Sequence, residues 1–121
     1  MKTLPNIETI KDIQLLENLG IDIDFSPEEE DAMPEDSFCE EETIELVREK
    51  YNNGNLAAWF CAKVTVSYKD MLESDYLGCC SYGSFKEFTT EENGYYVDMI
   101  NTCINEINRQ IESINFGPKN T

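Results

Sequence analysis

At 121 residues and 13.9 kDa the chain has the length of one domain, able to bury roughly two-thirds of its unfolded surface without metal or disulfide staples. Asp and Glu number 25 against 9 Lys and Arg, a net charge of −16, which argues against charge-driven binding to DNA, RNA or an anionic membrane. Histidine is absent, so Ser-His and Cys-His catalytic pairs and imidazole metal sites are excluded.

The amino-terminal MKTLPNIETIKDIQ has no apolar h-region. The longest uncharged run, Tyr51–Ala62, is 12 residues, short of the roughly 20 that a membrane span needs. Five cysteines at 39, 61, 79, 80 and 103 show no CxxC spacing. Together these features predict a cytoplasmic protein with reduced thiols and no cofactor.

Asn6 or Thr3 can cap a first helix whose apolar side is Ile7, Ile10, Ile13, Leu16 and Leu19, closed by Gly20. Ile21-Asp22-Ile23-Asp24-Phe25 then alternates with the period of a half-buried strand, which sets Asp22 and Asp24 on one water-facing side. Pro27 to Pro34 reads as loop. Within it residues 26–36 are acidic and self-repelling, read either as a mobile segment or as a surface displayed to a basic partner. Ser37-Phe38-Cys39-Glu40 matches a capping box and predicts a helix with Ile44, Val47 and Tyr51 inward, ended by Asn52-Asn53-Gly54.

Alternation is longest from Leu56 to Lys69, with a second strand over Asp75–Tyr82 and a turn between them. That phase assigns Tyr76 and Tyr82 to the core and points Trp59 away from the helical layer. Ser84-Phe85-Lys86-Glu87 is a second capping-box match. From Tyr95 an apolar stripe of Tyr96, Ile100, Cys103/Ile104, Ile107, Ile111 and Ile114 predicts a long helix, stopped by Gly117-Pro118. The expected fold class is α+β: a small antiparallel sheet made of the hairpin 56–69/75–82, with 21–25 as a candidate third strand. Helices, including the long C-terminal one, are expected to pack on one face.

No catalytic constellation can be assembled. Asp22-x-Asp24-x-Ser26 begins like a calcium loop, but Pro27 stands where glycine is needed and Met33 where the bidentate Glu is needed. The glycines around Cys79-Cys80 lack the GK[ST] ending of a phosphate loop. The chain is therefore read as a non-enzyme.

The charge is uneven. Residues 1–45 hold 15 acids and two bases, whereas residues 46–121 hold 10 acids and seven bases. Acids at i and i+4 on a helix, or i and i+2 on a strand, stand roughly 6 Å apart, comparable with successive phosphates on a strand. Asp22, Asp24, Glu28, Glu30, Glu35, Glu41, Glu42, Glu45 and Glu49 are the candidate partner-binding acids, with Trp59 as a candidate aromatic anchor. The helix dipole also accounts for part of the acid at the start of the second helix. The expected partner is a basic protein surface, such as that of a nuclease or another nucleic-acid-binding enzyme, with no direct contact to nucleic acid.

In overall character the chain resembles the small acidic anti-restriction and anti-CRISPR proteins of phages and mobile elements, a resemblance over the whole chain that rests on no motif. It implies an inhibitor that mimics nucleic acid. The alternatives are an immunity or antitoxin protein that adds an aromatic anchor to the acids, and a regulatory interaction module whose acidity serves solubility.

Overall fold

The computed structural model describes residues 1–92 and 94–116. Its strands β1 (Ile21–Phe25), β2 (Phe60–Tyr68) and β3 (Met71–Cys80) form an antiparallel sheet in that order. Four helices accompany it: α1 (Ile13–Asn18), α2 (Glu41–Asn52), α3 (Phe85–Thr90) and α4 (Tyr95–Phe116). The fold is α+β, with the long C-terminal helix expected from the apolar stripe.

Alternation explains the core. Phe60, Ala62, Val64 and Val66 of β2 are buried under α4, whose Ile100, Cys103, Ile104, Ile107 and Ile111 come down onto them. Ile21 pairs with Tyr68, Ile23 with Val66 and Phe25 with Val64, so β1 adds its apolar side to the same layer. Phe25, Phe60, Tyr82, Phe85, Phe88 and Tyr96 close the far end as an aromatic cluster, with neighbouring ring centroids 5.0 to 6.3 Å apart. Ile114, assigned to the stripe by spacing, is instead 62% exposed, beyond the last buried position at Ile111. The Gly117-Pro118 stop lies outside the described residues.

Several boundaries differ from the pattern-based expectation. Leu56–Ala58 is a 3-10 turn and not strand, because Asn55 caps it: its Oδ1 accepts from Ala57 N–H at 3.2 Å. The hairpin turn is only Lys69-Asp70, with Lys69 at φ 55, so β3 starts at Met71 where a turn was expected. Polar residues suffice there because β3 is an edge strand: Ser74 pairs its hydroxyl with that of Thr65 at 2.8 Å, and Gln110 of α4 donates to Glu73.

A bulge lies between the pairs Ala62–Leu77 and Phe60–Cys80, so Gly78 and Cys79 are accommodated against Cys61 alone. Leu77 and Cys80 therefore both turn inward. Tyr76, expected in the core, lies beside Lys63 on the opposite face and is 54% exposed.

Two capping predictions also fail. Ser37 closes a 3-10 turn over Pro34–Asp36, and α2 starts at Glu41 with no side-chain cap. The first helical turn is capped by Thr9, whose Oγ1 accepts from Lys11 N–H, while Asp12 accepts from the Glu8 and Thr9 N–H groups. Those two amides hold the Asp12 carboxyl below its usual range. Gly20 (φ 84) and Gly54 (φ 104) do end α1 and α2 in the left-handed conformation that favours glycine.

The segment before Thr9, assigned to helix by its isoleucine spacing, instead runs extended along α4. No backbone–backbone hydrogen bond joins residues 1–8 to the rest of the described chain; asparagines of α4 hold them. Asn108 accepts from Leu4 N–H at 2.7 Å and donates to Leu4 C=O at 2.9 Å. Asn101 does the same for Ile7 at 2.8 and 2.8 Å, and Asn115 for Met1 at 3.2 and 2.8 Å. Between them Asn105 accepts from the Asn6 amide at 3.1 Å. Seven residues of helix rise about 10.5 Å. Three residues of extended chain cover about 10 Å. Heptad-spaced asparagines therefore meet every third residue of the segment.

Candidate acidic interaction surface

β1 alternates apolar and acidic, so one side of the strand enters the core and the other carries Asp22 and Asp24 onto the sheet face turned away from α4. Both are exposed, opposite Ser67 and Thr65 respectively. Across β2 and β3 the same face shows Leu72, Ser74 and Tyr76. The chain then continues beside β2 through a bridge between Glu28 and Cys61, with both backbone bonds made, at 2.8 and 2.9 Å. Glu28 lies 3.6 Å from Lys63 Nζ, whose ammonium sits 5.5 Å from the Tyr76 ring centroid. Tyr76 first, and Glu28 after it, raise the Lys63 pKa. The charge of Glu28 is thus partly answered within the molecule.

Glu30 and Glu35 are engaged internally. Glu30 accepts from the Cys79 N–H at 2.6 Å and from Ala32 N–H at 3.0 Å, tying the acidic loop to the β3 bulge. A Cβ on Gly78 would lie 2.8 Å from Glu30 Oε2, so glycine at 78 makes room for this carboxylate. Glu35 pairs with Arg48 of α2; its own backbone N–H first, and the guanidinium after it, lower its pKa.

Trp59, the candidate anchor, is 6% exposed. It sits at the end of the 3-10 turn and not in a strand, its Nε1–H donates to Ala32 C=O at 2.8 Å, and Phe38 packs on it at 5.9 Å. Residues from the acidic loop cover it, a long-range contact that strand alternation does not encode.

Glu41, Glu42, Glu45 and Glu49 all project to solvent from α2. Val47 is buried and Ile44 and Tyr51 are half-buried, so the helix is anchored on the 3-10 turn before β2 and keeps its acidic side free. Among the described residues none of these four carboxylates has a cation within 4.0 Å: Arg48 is held by Glu35, and Lys50 in the last turn of α2 pairs with none of them. Leu46, 51% exposed, stands among them and was not singled out by sequence reasoning. Its exposure was foreshadowed only by its falling outside the 44, 47, 51 stripe.

The ten candidate residues therefore separate. Asp22 and Asp24 share the open sheet face, Glu41, Glu42, Glu45 and Glu49 share α2, Glu28 faces Lys63, and Glu30, Glu35 and Trp59 are used inside the fold. Among the described residues no group of three or more Cys, Asp or Glu side chains converges to hold a metal ion. No described helix is long and apolar enough to cross a membrane. No protein-family model, curated protein or solved structure matches the chain.

Proposed function

We propose that this protein is a stoichiometric inhibitor that occupies the basic groove of a nucleic-acid-processing enzyme in the cytoplasm, presenting carboxylates where that enzyme receives phosphates. The observation that carries the reading is α2: four exposed glutamates with no cation within 4.0 Å among the described residues, on a helix whose arginine is paired with Glu35 and whose one lysine, Lys50, lies in the last turn. Glu41, Glu45 and Glu49 follow at i, i+4 and i+8, a row with steps on the order of 6 Å. Asp22 and Asp24 add a second acidic strip on β1. The overall −16 would steer the protein toward a Lys- and Arg-lined groove.

The antitoxin alternative loses Trp59 as an anchor, because it is buried and its indole N–H is already bonded, and rests on the half-buried Tyr51 instead. A role built on charge needs no catalytic group, and none is invoked. The test is inhibition of DNA cleavage by a panel of restriction and RNA-guided nucleases. A mimic abolishes cleavage at equimolar protein and is relieved by excess DNA. Inhibition that excess DNA leaves unchanged, or a nuclease that holds DNA and the protein together, sinks the mimicry reading.

A further inference from the structure

We propose that the asparagine face of α4 is a binding groove for an extended, basic peptide segment of a partner, and that residues 1–8 occupy it in cis. This stands independently of the acidic surface of α2. The groove's chemistry is visible in its present occupant. Asn101 and Asn108 each offer one acceptor and one donor to a single residue's N–H and C=O, and Asn115 does so for the amino-terminal ammonium and C=O of Met1, so they read backbone and not side-chain identity. Selectivity comes from two apolar seats three residues apart, filled by Leu4 (8% exposed) and Ile7 (5% exposed). Of the residues between them, Pro5 is exposed, and Asn6 is exposed with its side-chain amide on Asn105 at 3.1 Å.

Two further observations define the occupant. The segment adds no strand to the sheet and makes no backbone–backbone bond to the described chain, so its release leaves every ladder intact. Beside the asparagine row, three residues earlier in each repeat, α4 carries Asp98, Asn105 and Glu112; the two acids are exposed and have no ion pair among the described residues. That flank favours a ligand with bases between its apolar residues, and Lys2 is the single base in residues 1–8. The same charge, −16 on each molecule, disfavours a second copy as the occupant.

The experiment uses the full-length chain carrying Leu4→Ser and Ile7→Ser, which weakens its own segment and leaves α4 untouched. The probes are a fluorescent peptide of residues 1–8 and the same peptide with Thr3→Lys and Asn6→Lys. Expected results are saturable binding of both, tighter for the basic probe at low salt, and weakened about tenfold or more by Asn108→Ala in the host, the loss of a two-bond contact. Wild-type protein should bind at least about tenfold more weakly, because its tethered segment competes at millimolar effective concentration.

A folded host that binds neither probe, or binding indifferent to Asn108→Ala, overturns the proposal. Light scattering that finds a wild-type dimer with exchanged segments overturns it in favour of a second copy. If the double-serine host does not fold, native-state hydrogen exchange of the wild type decides. Leu4 and Ile7 amides exchanging through local opening, well before those of α4, support a displaceable segment, and protection equal to that of the core refutes it.

Discussion

Replacing Asn108 by alanine removes both hydrogen bonds that hold Leu4, at 2.7 and 2.9 Å, without touching the buried stripe of α4. Each such bond contributes about 1 kcal/mol net. The direct loss is therefore about 2 kcal/mol, and a ceiling comes from the segment itself. Burial of Leu4 and Ile7 contributes roughly 3–6 kcal/mol. Six bonds to Asn101, Asn108 and Asn115 add about 6. Ordering eight backbone residues costs roughly 8–16. These sums nearly cancel, so the segment is marginally docked and a loss of about 2 kcal/mol is enough to release it.

Hydrogen exchange followed by NMR should then show Leu4 and Ile7 amides losing about 10- to 30-fold of protection, while β2 amides change no more than global stability does. The urea midpoint should fall by no more than the same ~2 kcal/mol. Asn105→Ala, whose partner is the exposed Asn6 side chain, should cost under about 0.5 kcal/mol. A β2 core that loosens more than the segment, or a segment unaffected by Asn108→Ala, would refute this account of how residues 1–8 are held.

Three further outcomes follow from other parts of the fold. Gly78→Ala should displace the Glu30 carboxylate from the exposed Cys79 N–H and destabilise by about 0.5–1 kcal/mol, since only the end of a flexible side chain has to move. Glu30→Ala should cost a similar amount, and the double variant little more than either, which urea denaturation of the four proteins would show or exclude. Cys79→Gly should raise stability by roughly 1 kcal/mol, because Cys79 sits at φ 59, and an unchanged or lowered melting temperature counts against strain there.

Burial pushes the Cys80 and Cys103 thiols up to about 11 from 9.0. Folded thiols then hold their protons more tightly than unfolded ones. Their contribution is complete below pH 9.0 and disappears as pH rises through about 11, up to about 3 kcal/mol for each. Cys80→Ala/Cys103→Ala should flatten the fall in urea midpoint over that range; an equally steep fall would place its origin elsewhere.

What local patterning encodes, the sequence made legible. The alternation of β1 and of β2 beyond Phe60, the stripe of α4 as far as Ile111, and the stops at Gly20 and Gly54 each follow from one element's own periodicity or backbone need. The losses occur where a distant residue decides. Ser37 lost its capping role to a 3-10 turn built on Pro34, and β3 continues through the polar Glu73 and Ser74 because an edge strand can place them beside Gln110 and Thr65. Tyr76 changed faces with the bulge at Gly78 and Cys79, and Trp59 was covered by a loop some 27 positions earlier.

The candidate acids divide along the same line. Asp22 and Asp24 were placed by alternation, whereas only the tertiary structure shows Glu30 and Glu35 spent on internal contacts. The asparagine ladder was written plainly as Asn101, Asn108 and Asn115. Its meaning depended on a chain segment about a hundred residues away.

Charge reversal on α2 in the cleavage assay shows whether its carboxylates stand in for phosphates. Glu41→Lys, Glu45→Lys and Glu49→Lys are combined in one chain and compared with wild type for the nuclease that the wild type inhibits. These residues are exposed and outside the core, so the fold should persist, with circular dichroism as the check. Inhibition should weaken by at least about tenfold, wild-type inhibition should fall steeply with added salt, and a comparable change at Glu17, Asp70 and Glu106 should have little effect. A triple variant that still inhibits at equimolar protein, or inhibition indifferent to salt, would contradict phosphate mimicry by α2.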